Sequence, residues 1–560
     1  MMNKKHIILL EFILLTCLAG LKAGPQYGNP GIRGEQVNLQ SDRTLYVAGE
    51  TIHFSAFIYK SEKNEANDDS KILYCEFITP GAGRINGGKF EILHQKSEGC
   101  LSIPKETVSG IYYLRAYTKF MRNLGPQSYA YILLKIINPF KSEVLLTEAE
   151  HSASLTSLPV PTPITKEVFA LHCDKEVYSS REQVKLNVSG QAGSNLYQNL
   201  VLSIVPDSSL QFFKLQIPEV NLADSLHRYY PETKGISITG HVYDKRTGLA
   251  SSSTRVNLSI LGEKDFMAVN TDSTGGFFFQ LPGMTGNKEL FICTGIKPGT
   301  MPTINIDNDF CTIGIQLPAP AFILSEKEQK TALNLAENTQ VTSSYMKATL
   351  PDTLPSGFQD KAFYGKPSDI LVLDKYIQLP TLEEYFNELP GIVKVRKRSN
   401  RPYFQFSGGQ PEMSIFDPLV LVDYVAIDDM EKVLKIPPQL LSRIELVNEP
   451  YVKGDITYGG IVNILSKKND FAGIDLPSSG VFINFSFINT GGCETMQQEA
   501  TGFPDARNTI YWNPNLRLDS RNQTDILITT PDTPGQYLVY LRGITRSGEI
   551  NTWSTNFEVR

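Results

Sequence analysis

The sequence predicts a mainly β, multidomain protein, with tandem β-sandwiches and one small α/β unit. Three observations carry that expectation. The composition sets 25 Tyr and 29 Phe beside 42 Gly and 33 Pro, which suits short aromatic-rich strands joined by tight turns. Apolar residues alternate in run after run, the period of a half-buried strand. A phrase near the start of the chain also recurs at a constant offset of 132 residues, as it does when a folding unit is repeated. At 560 residues, three or four units is the natural expectation.

The chain opens on a targeting pattern. Lys4 and Lys5 precede the apolar run HIILLEFILLTCLAGL, broken only by Glu11, and small residues follow in LKAGPQ. This reads as a secretory signal peptide over residues 1–23, cut after Ala23. Acylation at Cys17 is the less favoured alternative, because Thr16 stands where a small Ala, Gly or Ser is wanted. No later stretch approaches the ~18 apolar residues of a membrane helix, so no transmembrane span is expected. The net charge of −6 and the lack of a basic stripe exclude nucleic acid as an expected partner.

The first unit, 24–140, begins with SDRTLYVAGETIHFSAFIYK, where Ile52, Phe54, Ala56 and Ile58 alternate along a strand. SGIYYLRAYTKFMRN and YAYILLKIINPF supply further strands, and the whole describes a sandwich of roughly 100 residues. A Pro-rich linker occupies 141–166, with SLPVPTPITKE at its end. CDKEVYSSREQVKLNVSG then opens a second unit, 167–233. Asp42, Tyr46, Glu50, Ile52, Phe54 and Ala56 correspond there to Asp174, Tyr178, Glu182, Val184, Leu186 and Val188. An acid, an aromatic, a second acid and three inward-facing apolar residues are kept. A second sandwich of the same type is expected, with later strands available to complete it.

The third unit, 234–320, carries GHVYDKRTG, a strand running into a turn. In TDSTGGFFFQLP, Asp272 and Gly275–Gly276 supply a bend before the next strand. Residues 321–365 shift to helix formers, SEKEQKTALNLAENTQVTSSYMK, and read as a helical connector. Within 366–470, Leu382, Tyr385, Phe386 and Leu389 share one face of a short helix that ends at Pro390–Gly391. YFQFSG, PLVLVDY, RIELVNEPY and GGIVNILSKK follow as strands, which makes this the α/β unit. Residues 471–560 alternate again as a C-terminal β segment.

Several of these phrases carry resemblances. D-x-x-x-Y-x-x-G/R-E at the head of both repeats resembles the leading strand of the macroglobulin-type sandwich found in alpha-2-macroglobulin-like proteins. With YYLRAYTKFMRN, the first unit resembles the version common in envelope proteins of Bacteroidetes. The third unit resembles the carboxypeptidase regulatory-like domain, a non-catalytic module, so no peptidase activity is implied. The helix ending LPGI, then LVLVDYVAI, IPPQLLSRIELVNEP and YGGIVNILSKK, in that order, is similar to the plug domain of a TonB-dependent outer-membrane receptor. Such plugs place Gly after the strand Asp, whereas Tyr424 follows Asp423 here, so a remodelled turn is expected. A plug-filled barrel needs around 22 strands of about 9–11 residues. The 92 residues after Lys468 fall several-fold short, so the plug-like unit is expected without a barrel.

Candidate chemistry is sparse. GGCETMQQE sets Cys493 near Gln497, but macroglobulin thioesters use CGEQ. The spacing is four instead of three and the Gly-Glu pair is missing, so no thioester is expected. His53, His94, His151, His172, His227 and His241 are scattered, with no H-E-x-x-H spacing, and His172 points away from neighbouring Cys173. There is no G-x-S-x-G elbow and no P-loop. Cys75, Cys100, Cys173, Cys293, Cys311 and Cys493 include no C-x-x-C, which argues against zinc. An exported chain admits Cys75–Cys100 or Cys293–Cys311 bridges, and buried thiols fit equally well. Asp428–Asp429 read as helix-capping or solvated. The basic run Val393–Arg401 reads as a solvated edge strand in preference to a polyanion or lipid-headgroup site.

The sequence therefore reads as a non-enzymatic cell-envelope scaffold or interaction protein, accessory to TonB-dependent outer-membrane transport. No catalytic, cofactor-binding or metal-binding residues and no cofactors are expected. Its expected partners are other envelope proteins, including an outer-membrane β-barrel or TonB-type machinery, and its expected location is the periplasm or the outer-membrane or cell surface. A macroglobulin-like protease-binding protein without the thioester is one alternative. An envelope hydrolase is another, disfavoured by the missing motifs.

Overall fold

The structure, a computed structural model, describes residues 34–60, 69–145, 157–158, 168–221, 228–295, 299–345, 361–389, 391–407, 410–489, 493 and 503–560. The signal segment 1–23 with Cys17, most of the linker, His151, His227 and Gln497 lie outside the described residues. The chain folds as a mainly β, multidomain protein built of sandwiches and one α/β unit.

In the first sandwich, strands Glu35–Ser41, Thr51–Lys60 and Lys96–Ser102 form one sheet. The second sheet runs Leu45–Val47, Ala130–Ile137, Gly110–Tyr117, Ile72–Ile78, Arg84–Glu91. Alternation sends Ile52, Phe54 and Ala56 from one sheet, and Leu73, Cys75 and Phe77 from the other, into a shared core. The short edge strand Leu45–Val47 pairs parallel with Ala130–Ile137, while its neighbours pair antiparallel.

The second sandwich reproduces this topology strand for strand. Phe169–Cys173, Gln183–Gly190 and Gln523–Thr529 form the small sheet. Val177–Tyr178, Ile550–Val559, Gly535–Thr545, Tyr197–Pro206 and Tyr511–Asn513 form the large one, again with a parallel edge strand. Part of the expected C-terminal segment thus belongs to this second sandwich. In the first copy Ile72–Ile78 and Arg84–Glu91 are joined by a tight turn closed by Thr79 N donating to Gly83 O at 2.9 Å. In the second copy the same hairpin, Tyr197–Pro206 with Tyr511–Asn513, is opened by everything between 207 and 510.

A second insertion is nested in the first. The third sandwich has one sheet of Gly276–Leu281, Ile236–Asp244 and Pro302–Ile306. Its other sheet runs Phe266–Asn270, Arg255–Ile260, Asn287–Thr294 and, after the α/β unit, Val481–Ser486. Its core also receives Tyr74, Tyr117 and Tyr129 from the first sandwich. Polar bonds fix that junction: Lys119 Nζ donates to Ser237 O at 2.9 Å, and Cys311 N donates to the Tyr117 hydroxyl at 2.8 Å.

The α/β unit has the sheet order Asp369–Val372, Leu441–Val447, Ile461–Ser466, Leu419–Val422, Val425–Ala426. Helix Leu382–Glu388 buries Leu382, Tyr385 and Phe386 against it, capped by the Thr381 side chain accepting from Glu384 N. Phe291 and Cys293 of the third sandwich complete the same core. Helix Glu326–Tyr345 falls where helix formers were read. It packs Ala332, Leu335 and Ala336 onto Leu45 and Val47, the edge strand of the first sandwich.

Candidate interaction surfaces

Each repeat begins with the same hydrogen-bonded clasp, and it explains the residues kept at the offset of 132. In the first copy the Tyr46 hydroxyl donates to Asp42 Oδ1 at 2.7 Å, and His53 N donates to the same oxygen at 2.9 Å. Val47 N donates to Glu50 Oε2 at 2.6 Å, and Arg43 Nη2 reaches Glu50 Oε1 at 2.9 Å. In the second copy Tyr178 and Lys185 N donate to Asp174 Oδ1, each at 2.8 Å. Ser179 N donates to Glu182 Oε2 at 2.8 Å, and Lys175 takes the place of Arg43 beside Glu182. The kept acid and aromatic thus tie a turn to the next strand, using short-range contacts that a sequence pattern exposes.

The two clasps differ in what covers them. Over the first, Thr509 Oγ1 donates to Asp42 Oδ2 at 2.6 Å and accepts from Arg43 Nε at 2.8 Å. Asn508 Nδ2 lies within 2.7 Å of Glu50 Oε1 and 3.0 Å of the Leu335 carbonyl, so the second sandwich and the helix close over it together. Burial alone would lower the Arg43 pKa, but the charges of Glu50 and Asp42 outweigh it and hold the guanidinium charged. Over the second clasp there is no such cover among the described residues. Leu45 is 2% exposed, and its counterpart Val177 is 41% exposed. Asp174 is held below the usual carboxylate range, first by the Lys185 backbone N–H, and Glu182 first by its bond to Lys175.

A cleft of about 750 Å³ adjoins this open clasp, lined by Lys330, Glu337 and Asn338 of the helix and by Asp532, Gln536 and Arg560 of the second sandwich. Arg181 bonds Asp532, and Arg560 N donates to the Tyr178 carbonyl at 2.9 Å, which joins the clasp to the cleft wall. Nothing local in the sequence marks the cleft, because its two walls lie far apart in the chain.

On the α/β unit, Asp423 and Tyr424 form a two-residue turn with φ of 48° and 66°. The turn is made without a glycine, and Tyr424 takes the left-handed backbone that glycine favours. The turn is held from outside. Asp423 accepts from Ser466 N at 2.8 Å, Ser466 Oγ at 2.6 Å and Phe471 N at 2.9 Å. Ser259 Oγ donates to the Tyr424 carbonyl at 3.0 Å, and the Tyr424 ring stacks on Tyr364. Edge strand Asp369–Val372 and the turns beside it expose Ile370, Tyr376, Ile377 and Leu440. The basic run forms a two-stranded ribbon, Val393–Arg398 with Arg401–Phe406. It buries Val393 and Val395 and exposes Arg396, Lys397, Arg398 and Arg401.

The remaining candidates are placed as follows. Asp429 caps helix Met430–Leu434 by accepting from Lys432 N at 3.3 Å, and Asp428 pairs with Arg255. His53, His94, His172 and His241 stand on separate elements, and among the described residues no group of three or more His, Cys, Asp or Glu is arranged to hold a metal. No disulfide joins the described cysteines. Cys75 points into the first core whereas Cys100 lies on the other sheet facing away from it. Cys293 and Cys311 belong to different cores. Neither expected pairing is within reach.

No protein-family model matches the chain, and no curated protein matches it. Among solved structures, trypsin-activated alpha-2-macroglobulin from Escherichia coli is similar at 11% identity with a TM-score of 0.24, over 95% of this chain and 42% of that one. Salmonella alpha-2-macroglobulin reacted with methylamine is similar at 11% identity with a TM-score of 0.24, over 94% of this chain and 39% of that one. The chain spans about two fifths of those proteins, and overlap of this quality defines no common arrangement of their domains.

Proposed function

We propose that this chain is a non-enzymatic cell-envelope scaffold that docks other proteins, with the uncovered second clasp and its adjoining cleft as the main docking surface. The asymmetry between the two clasps carries the reading. The same turn, edge strand and charged residues are buried under a second sandwich and a helix in one copy and stand open in the other. A partner that lays a polar strand or turn across Asp174, Lys175 and Val177 would make the contacts that Asn508, Thr509 and Leu335 make on the first copy. The edge strand Val177–Tyr178 adds backbone groups for strand addition.

The finer reading is an accessory of TonB-dependent outer-membrane transport. Its support is the plug-like order of helix and strands in the α/β unit, together with the apolar side chains exposed on that unit's edge. The test is a pull-down of the tagged chain from its native envelope, with mass spectrometry, run beside Val177→Glu. A partner held by the wild type and lost from the variant supports docking at the clasp. Recovery of a β-barrel or TonB-type component supports the transport role, and recovery of proteases alone moves the reading to steric protease binding. Identical profiles from the two chains would overturn the clasp as docking surface.

A further inference from the structure

Six cysteines lie among the described residues, and they fall into two groups. Cys75, Cys293 and Cys311 are buried in cores, and burial pushes the Cys293 thiol up to about 12, so it stays protonated and inert. Cys173 sits at the rim of the second sandwich, and burial pushes it up to about 11. Cys100 and Cys493 are placed differently.

Cys100 belongs to strand Lys96–Ser102. Gly99 and Leu101 face the core there, since a Cβ at Gly99 would meet Phe90 at 2.3 Å and Leu101 is buried. Alternation therefore turns Cys100 and Glu98 outward. After closing the third sandwich with Val481–Ser486, the chain reaches strand Arg84–Glu91, the edge of the other sheet of the first sandwich. Ile488 bridges both Lys89 and Thr285, and Asn489 N donates to the Lys89 carbonyl at 2.8 Å. Four residues further on, the Cys493 thiol makes a hydrogen bond with that of Cys100, with Glu98 near enough to act on it electrostatically. Two thiols almost 400 residues apart in sequence are thereby brought into contact on one surface.

We infer that Cys100 and Cys493 form a disulfide, a redox-dependent staple between the first sandwich and the segment that leaves the third. The co-reactant is a disulfide, either a small molecule such as oxidised glutathione or the oxidised active-site pair of a thiol–disulfide oxidoreductase. The Cys100 thiolate attacks one sulfur of that disulfide and expels the other as a thiolate, which takes up the proton Cys100 gave up. Cys493, after losing its own proton, attacks the Cys100 sulfur of the mixed disulfide and expels the second thiolate. Two protons and two electrons pass to the oxidant. Cys100 acts first because hydrogen bonding to Cys100, followed by burial, holds the Cys493 thiol well above its ordinary range.

The experiment uses the full chain, reduced, treated with oxidised glutathione, then alkylated with N-ethylmaleimide, digested and mapped by mass spectrometry. The expected product is a Cys100–Cys493 cross-linked peptide, two hydrogens lighter than its reduced halves. Alkylation of both cysteines, or linkage of Cys100 to any other cysteine, would overturn the inference. A second arm does not depend on recovering that peptide. Cys493→Ser should accumulate glutathione on Cys100, whereas the wild type should resolve it, and equal adducts in both would overturn the staple.

Discussion

Tyr46 and Tyr178 hold the same place in two copies of one clasp, and only their surroundings differ. Replacing Tyr46 by Phe takes one of several bonds from Asp42 and leaves the Arg43 N–H without its acceptor inside a sealed junction, where an unsatisfied polar group costs about 1–3 kcal/mol. Replacing Tyr178 by Phe leaves Asp174 facing water, which takes over the lost bond, so a cost under about 1 kcal/mol is expected. Urea denaturation of the two variants checks the difference, and equal costs would mean that the first clasp is not sealed. Titration acts on the open copy. Asp174 and Glu182 both have folded pKa values depressed below their unfolded ones. Their contribution is therefore fully present above about pH 4 and is lost as pH falls through the folded values. The protection factor of the Tyr178 amide, taken against its intrinsic exchange rate at each pH, should fall below about pH 4. These residues were legible in the sequence because every bond of the clasp spans about a dozen positions or fewer, so spacing alone records it.

Elements were legible where their partners are near in sequence and hidden where they are not. The helix Glu326–Tyr345 announced itself through its composition, but not that Leu335 would be sealed against Leu45 and Val47. Leu335→Ala is expected to cost about 2–5 kcal/mol, because the cavity sits between rigid elements that cannot close on it. The same change should loosen Asn508 from the first clasp, visible as faster hydrogen exchange around Thr509. The turn at Asp423–Tyr424 shows the same limit, since it has no glycine and three donors from Ser466 and Phe471, more than 40 positions away, keep its shape. Asp423→Ala should lower the thermal midpoint of the α/β unit, while Asp429→Ala removes only one exposed cap and should lower it much less. Equal effects would show that the turn carries no more weight than an ordinary helix cap. The cysteines follow the same rule, since Cys100 meets a partner that spacing gave no reason to choose.

At the scale of the molecule the architecture is two copies of one sandwich, the second split open to admit a third sandwich that is itself split to admit the α/β unit. Linear reading divides such a chain into beads, because strand pairing between Gln183–Gly190 and Gln523–Thr529 leaves no trace at short range. The nesting makes a definite prediction about folding. The outer insertion enters at one hairpin, and the strands on either side remain hydrogen-bonded neighbours: Ile204 faces Tyr511, and Leu202 faces Asn513. Replacing 207–508 by the turn 79–83 of the first copy should leave a chain whose second sandwich still assembles. All of that sandwich's strands are retained, with Thr509 still positioned over Asp42. Stability should fall, since the helix that covers Leu45 and Val47 is removed with the insertion. The measurement is hydrogen exchange across Gln523–Thr529 and Gly535–Thr545. Protection there in the shortened chain means that the second sandwich is the host and the inserted units are guests. Its loss would mean that the guests hold the host's hairpin together, and that the two copies share a topology without sharing the capacity to fold alone.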